Sequence, residues 1–317
     1  MSLSAHDLLT LLGAVALAGI GGELFLKGVL GAAVALRVPK LLVATSLAAF
    51  ATSSPELTVS TVAALAGQPE IGLGDALGSN VVNIALLFGL ALLFGPLHVK
   101  RKELGRDFVF ALGVPLLTFL CVADGILTRA EGGFLLLCFA LWMGLLIRGG
   151  LAQRIELGSA DTTEPVSAPW RSIAFSAVGL AALILAGRLF VNGATGIATA
   201  FGVDAYIVGA LVVAIGTSLP ELVTVLLARI RGHDDIGVGT LLGSNLFNGM
   251  AIVGVAASIH PIQAPPGEIA ITLGMGVLSL LLLIPGRDSI IGWGRGIMLL
   301  GAYAVFVVAT VATGRAA

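Results

Sequence analysis

Apolar runs of membrane-spanning length follow one another along this chain with scarcely any polar sequence between them. Ten are long enough, at about 20 residues per crossing: 7–35, 40–66, 71–94, 105–123, 129–148, 170–200, 204–228, 236–259, 267–285 and 291–313. Hydrocarbon offers no hydrogen bonds, so each run must satisfy its backbone internally, which means helices. Of the 317 residues, 57% are apolar and only 11% charged, against roughly 25% charged in a soluble domain. A water-soluble fold cannot cover itself with so little polar surface. The expected fold is an all-α integral membrane protein with ten transmembrane helices. The first run is too long for a signal-peptide core and no small-residue cleavage site follows it, so it reads as a retained helix.

Net charge is −1, which gives no basic field for nucleic acid. Cys121 and Cys138 both lie in apolar runs and read as packing residues rather than a metal or redox pair. The distribution of Lys and Arg sets the orientation. With the N-terminus outside, thirteen of the seventeen basic residues, from Arg37 and Lys40 through Lys100-Arg101-Lys102 to Arg287 and Arg295, fall at cytoplasmic ends. Arg129 and Arg315 fall outside, and Lys27 and Arg188 lie within helices. The chain is therefore expected in the cell's inner membrane, with both termini outside. Trp170 and Trp293, near helix ends, read as interface anchors.

The chain repeats itself at an offset of 165 residues. Ala51-Thr52-Ser53-Ser54-Pro55-Glu56-Leu57 matches Gly216-Thr217-Ser218-Leu219-Pro220-Glu221-Leu222. Gly78-Ser79-Asn80-Val81-Val82-Asn83 matches Gly243-Ser244-Asn245-Leu246-Phe247-Asn248, and a fainter echo joins Gly22–Gly28 to Gly187–Gly193. The expected organisation is a first five-helix repeat over 1–148, a cytoplasmic linker over 149–169 and a second five-helix repeat over 170–317. Five spans is an odd number, so the second copy enters the membrane the opposite way up. That is an inverted repeat, and it brings the two Glu motifs face to face near the midplane.

Glu56 and Glu221 each sit deep in an apolar run, where a carboxylate costs at least ~2.5 kcal/mol. Pro55 and Pro220 lack an amide hydrogen, so the carbonyls of Ala51 and Gly216 are expected to lose their helical donor, with those of Thr52 and Thr217 tilted nearby. Ser79 and Asn83 are four apart and share a helix face, as do Ser244 and Asn248. Gly74 and Gly78, and likewise Gly239 and Gly243, allow close backbone approach. They are expected to pack helix 3 against the break in helix 2, and helix 8 against that in helix 7. All these donors are oxygens, with no Cys or His, which argues against Zn2+ or Cu+. Two carboxylates match the charge of one Ca2+, and the surrounding oxygens can reach its 6–8 ligands. The same cluster could be divided among several Na+ ions, and protons compete for any carboxylate.

Thr-Ser-x-Pro-Glu followed by Gly-Ser-Asn-x-x-Asn, in duplicate, resembles the α-repeats of the Ca2+/cation antiporter superfamily, which includes the Na+/Ca2+ exchangers. The likeness covers nearly the whole chain and looks like a prokaryotic member. The resemblance implies that Glu56 and Glu221 are the two central carboxylates binding both Ca2+ and Na+. It implies main-chain oxygens to Ca2+ at Thr52 and Thr217, and carbonyl donors to Na+ at Ala49 and Ala214. It further implies hydroxyl donors at Ser79 and Ser244, a second hydroxyl position at Ser53 and Ser218, and a central polar pair at Asn83 and Asn248. Three residues depart from the pattern. Ala51 stands where Gly is usual, Ser54 where Leu is usual, and Asn248 where some exchangers carry Asp. The last bears on stoichiometry and on the choice between Na+ and H+.

The expected activity is secondary antiport of Ca2+ against Na+ by alternating access, with Ca2+/H+ exchange as the alternative. The transported ions Ca2+ and Na+, and the bilayer, are the expected partners. No cofactor is expected, and a single chain is expected to function as a monomer. A cation channel would need a continuous polar lane, and no run carries a sustained polar stripe. Acid–base catalysis by the two Glu would need a nucleophile, a metal-ligating His set or a phosphate loop, none of which accompanies them. Elsewhere, Glu23 and Lys27 are one helical turn apart and read as a local ion pair, with a Glu23–Arg188 pair as the alternative. Asp75 is expected near the outer end of helix 3, either shaping the mouth's field or simply solvated.

Overall fold

The backbone amides of so apolar a chain have no partner but one another, and the computed structural model is correspondingly helical. It describes residues 5–36, 38–67, 69–98, 101–157, 169–200, 214–264, 266–284 and 290–314. In the first half, α1 is Ala5–Leu36, α2 Lys40–Thr52, α3 Ser54–Leu65, α4 residues 69–93, α5 Arg101–Cys121 and α6 Arg129–Leu157. In the second, α7 is Pro169–Ala200, α8 Ala214–Thr217, α9 Leu219–Ile230, α10 Asp234–Ile259, α11 Pro266–Leu282 and α12 Trp293–Gly314. Among the described residues, five segments have the length and apolarity to cross a bilayer alone: Ala16–Leu36, Gly72–Leu93, Arg129–Gly150, Asp234–Ile259 and Trp293–Ala312. Four shorter apolar helices accompany them. The run expected at 204–228 enters the described residues only at 214. α6 continues to Leu157, so the first nine residues of the expected linker are helical, while 158–168 lie outside the described residues.

The two halves are related as the sequence offset requires. α1 and α7 occupy equivalent positions and run antiparallel, since Gly28 lies against Ser176 and Gly21 against Ala182. The contact is backbone to backbone: a Cβ on Gly179 would stand 2.7 Å from the carbonyl oxygen of Gly21. Equivalent helices pointing in opposite directions are the mark of an inverted repeat. Short antiparallel strands tie the halves together at two places. β1 (Leu97–His98) pairs with β4 (Ile290–Ile291), with Leu97 opposite Ile291, and β2 (Ile126–Leu127) pairs with β3 (Ile262–Gln263), with Leu127 opposite Ile262. The first pair maps onto the second at the same offset, within one residue. Left-handed glycines end α3 and α9 at Gly67 (φ 76°) and Gly232 (φ 73°), again 165 apart. Any side chain at either position would strain that turn.

Burial separates a centre from a periphery. α4 and α10 are inside over most of their membrane-length windows (83% and 78% buried), whereas those of α6 and α12 are 22% and 28% buried. Leu137, Leu141, Val305 and Val308 are among the apolar side chains pointing outward, as helices facing lipid require. Trp142 of α6 is fully buried against Phe139 and against Phe247 of α10, with the Phe139 and Phe247 rings 4.8 Å apart. Aromatic bulk thus joins the two halves beside the central pair.

The glycine contacts correct one expectation. Gly239 and Gly243 of α10 do not meet the break in their own half; they press against α2 of the other. A Cβ on Gly243 would meet the carbonyl oxygen of Thr45 and lie 2.6 Å from Cβ of Ala49, and one on Gly239 would lie 2.8 Å from Cβ of Ala44. Sequence spacing identifies a smooth helix face but not the neighbour it faces. Within the first half, close approach falls instead to Gly72, whose Cβ would stand 2.7 Å from Cα of Ser60. The segment equivalent to the start of α2 lies outside the described residues. Gly243→Ala is expected to lower the stability of the purified protein by about 1–3 kcal/mol, the usual cost of overpacking. Gly301→Ala, whose added Cβ meets no atom of another part of the described residues within 4 Å, should be neutral or slightly stabilising; thermal unfolding in detergent compares the two.

Candidate cation site

α2 gives way to α3 at Ser53 (φ −82°, ψ 8°), and α8 gives way to α9 at Ser218 (φ −81°, ψ 9°). Pro55 and Pro220 stand in the first turn of the new helix, where a missing N–H costs nothing and φ is already helical. The break is therefore built into the motif, and its two copies are nearly superimposable in backbone angle. At the end of each preceding turn, one carbonyl collects two donors. Ala49 O accepts from Ser53 N (3.0 Å) and Thr52 Oγ1 (3.3 Å), and Ala214 O accepts from Ser218 N (3.1 Å) and Thr217 Oγ1 (3.1 Å). A carbonyl oxygen has two lone pairs, so Ala49 or Ala214 can ligate a cation only if the threonine hydroxyl turns away. The carbonyl of Ala51, expected to be free, is not. Ser54 Oγ donates to it at 2.7 Å, which gives that departure from the family pattern a role. The mirror residue, Leu219, has no hydroxyl to do the same.

Both carboxylates are fully buried, and each reaches into the break of the other half. Ser218 Oγ donates to Glu56 Oε1 at 3.2 Å, and Ser53 Oγ donates to Glu221 Oε1 at 3.1 Å. Glu221 Oε1 also accepts from Ser244 Oγ at 3.0 Å, and that hydroxyl lies 3.5 Å from Thr52 Oγ1. Glu221, Ser53, Ser244 and Thr52 thus form one hydrogen-bonded group and Glu56 and Ser218 a second, which Thr217 adjoins through the shared carbonyl of Ala214. Oε2 of both glutamates has no hydrogen-bond partner among the described residues. A buried carboxylate oxygen left bare is costly, and a cation is the usual way of satisfying it.

The other expected residues line the same interior. Ala49, Ala214, Ser79, Asn83 and Asn248 are all fully buried. Ser79 Oγ, Asn83 Oδ1 and both side-chain polar atoms of Asn248 lack hydrogen-bond partners among the described residues. Asn83 and Asn248 sit inside π-helical stretches, Val82–Phe88 and Phe247–Ile252. Such widened turns weaken the regular backbone ladder and recur at functional positions; nothing in the apolar periodicity of these runs marks them. Among the described residues no three acidic, His or Cys side chains converge as a metal cage. The site is instead two carboxylates amid hydroxyls, amides and carbonyls, a donor set for a hard cation.

Two features escaped the sequence reading. Asn80 and Asn245 lock the halves by reciprocal bonds: Asn80 Nδ2 donates to Asn245 O at 3.3 Å and Asn245 Nδ2 to Asn80 O at 3.2 Å, while Asn83 Nδ2 donates to Asn245 Oδ1 at 3.1 Å. Their identity in both motif copies was the available signal. Asp75 is not solvated at a mouth but buried (4% exposed), and its Oδ1 accepts from Thr217 Oγ1 at 3.2 Å. It stands one turn before Ser79, and its mirror residue is Thr240, so comparing the repeats could not pick it out. Glu23 pairs with Lys27 (3.4 Å), as its spacing predicted, and also with Arg231 (2.9 Å), which ties α1 to the end of α9. Arg188 is exposed, and among the described residues Glu23 finds its partners elsewhere.

The family described as sodium/calcium exchanger protein matches the chain over residues 6–148 and 171–312. CaxA of Alkalimonas amylolytica is 35% identical over 266 residues, spanning 82% of this chain and 83% of its own. The sodium/calcium exchanger MaX1 of Methanosarcina acetivorans is 25% identical, spanning 96% and 98%. Among solved structures, the sodium-calcium exchanger NCX_Mj soaked with Na+ and Sr2+ is similar with a TM-score of 0.82 and 26% identity, covering 96% of this chain and 98% of that one.

The unequal sharing of hydroxyls generates a prediction. Ser218 is the hydroxyl donor to Glu56, whereas Glu221 keeps Ser244 if Ser53 is lost. A hydrogen bond to a buried charge is worth ~1.5–3 kcal/mol, so Ser218→Ala should weaken equilibrium 45Ca2+ binding roughly tenfold or more. Ser53→Ala should weaken it only about threefold. Equal losses in the two variants would contradict the assigned hydrogen bonds.

Proposed function

The chain belongs to the sodium/calcium exchanger protein family, and from that premise we propose that it carries Ca2+ across the membrane in exchange for Na+, by alternating access. Glu56 and Glu221 ligate Ca2+ together with main-chain oxygens at Thr52 and Thr217. Na+ uses the same carboxylates with the carbonyls of Ala49 and Ala214, the hydroxyls of Ser53, Ser218, Ser79 and Ser244, and the amides of Asn83 and Asn248. The observation that carries this reading is the crossed pair of bonds, Ser53 to Glu221 and Ser218 to Glu56, around two carboxylates whose remaining oxygens lack partners among the described residues.

Exchange follows from the electrostatics of that arrangement. Two bare carboxylates in a low-dielectric interior are unfavourable by several kcal/mol each. One Ca2+ or a set of Na+ ions neutralises them; an empty site does not. The protein therefore moves between its two faces only when loaded, and the ion that returns must replace the one released. Two inverted five-helix halves of ten spans, 1–148 and 170–317 joined by 149–169, supply the two equivalent arrangements that alternating access needs. The two matched stretches of the family fall within these halves. The hydroxyls and carboxylates of the site all come from one chain, in keeping with a functional monomer. The excess of Lys and Arg on one side favours termini outside, in the inner membrane.

Proteoliposomes or inside-out vesicles loaded with Na+ test the proposal. An outward Na+ gradient should drive uptake of 45Ca2+, and Glu56→Gln or Glu221→Gln should reduce it at least about a hundredfold while the protein still elutes as a folded monodisperse species. Uptake driven by a proton gradient but not by Na+ would overturn the coupling ion. Normal uptake in either Gln variant would overturn the site.

A further inference from the structure

Asp75 lies outside the duplicated motif, and none of the residues implied by the family resemblance is its equivalent. Yet it is a carboxylate with 4% of its surface exposed, carried on the central helix α4. Its Oδ1 takes the hydroxyl of Thr217, the residue beside Ser218, and its Oδ2 has no hydrogen-bond partner among the described residues. Asp75, Ser79 and Asn83 succeed one another at four-residue steps, so all three fall on one face of α4. Each presents a buried oxygen lacking a hydrogen-bond partner among the described residues: Oδ2, Oγ and Oδ1 in turn.

The opposite helix does not copy this. Its face reads Thr240, Ser244, Asn248, with Ser244 already bonded to Glu221. The second half thus offers two hydroxyls and an amide where the first offers a carboxylate, a hydroxyl and an amide. The interior holds a third carboxylate, and it belongs to one half only. Its Oδ1 is held by Thr217, not by the serines that bond the two glutamates, so it stands beside the pair rather than within it.

We propose that Asp75 is a cation ligand, holding one Na+ together with the Thr217 and Ser79 oxygens beside the Glu56 carboxylate. A single carboxylate among neutral oxygens balances one positive charge. It suits a monovalent ion better than Ca2+, which takes 6–8 oxygens and usually several carboxylates. Asp75 then sets the preference of the site for Na+ over Ca2+, in a chain whose position 248 is Asn. The inference rests on the exchange function proposed above and adds to it a residue that sets selectivity.

The test is displacement of bound 45Ca2+ by Na+ in the full-length purified protein, alongside saturation with Ca2+ in the absence of Na+. Asp75→Asn keeps the shape and removes the charge. It should raise the ratio of half-displacing Na+ to half-saturating Ca2+ roughly tenfold and make the Na+ displacement curve less steep. Asp75→Thr, which installs the residue of the mirror position, should act in the same direction and stands in if the Asn variant does not fold. An unchanged ratio and slope in a variant that binds 45Ca2+ would overturn the role of Asp75. Failure of Na+ to displace 45Ca2+ from the unmodified protein would instead count against the exchange function itself.

Discussion

Two fully buried carboxylates, each held by a hydroxyl from the opposite half of the chain, are the constraint to which the rest of this structure answers. Charge inside hydrocarbon is tolerated only where polar groups surround it, and here the polar groups are made by interrupting helices. With proline in the first turn of α3 and α9, the helix is broken just before it, at Ser53 and Ser218. That places Ser53 and Ser218 where they reach across to Glu221 and Glu56. For those breaks to meet, α10 must lie close to α2, which is why Gly239 and Gly243 carry no side chain. The lipid-facing helices α6 and α12 then cover a centre that is polar at its heart and apolar around it.

The scaffold is repeated, but the site is not symmetric. Ser244 is bonded to Glu221, while its mirror Ser79 has no hydrogen-bond partner among the described residues. Ala51 has its carbonyl tied by Ser54, a hydroxyl that Leu219 cannot supply. Asp75 faces Thr217, whereas its mirror is Thr240. An inverted repeat gives a transporter two equivalent conformations in which the halves trade roles. Unequal hydrogen bonding around equivalent residues is what a single one of those conformations looks like. The differences that are written into the sequence, at 54 and 75, persist in both conformations and so bias the balance between them and the ions each prefers.

Much of this was legible in the residues. The duplicated Pro-Glu motif identified both carboxylates because two buried acids at one offset are too costly to be incidental. The serines beside them stand in the same duplicated motif, and the family resemblance gave them their expected role. What remained hidden depended on neighbours. Spacing gave Gly239 and Gly243 a smooth face but not its partner, which proved to be α2 of the other half. Asn80 and Asn245 were visible as repeated residues, yet their reciprocal bonds need both halves in place. Asp75 gave no signal through the repeat, and the π-helical turns at Asn83 and Asn248 leave no trace in the spacing of the apolar residues around them.

The most direct measurement is a crystal structure of the protein grown with Ca2+, or with Sr2+ for its anomalous scattering. One divalent ion should be seen touching carboxylate oxygens of both Glu56 and Glu221, at about 2.3–2.6 Å for Ca2+. Anomalous density confined to the surface, or bound to one glutamate with the other turned away, would contradict a site shared between the two halves.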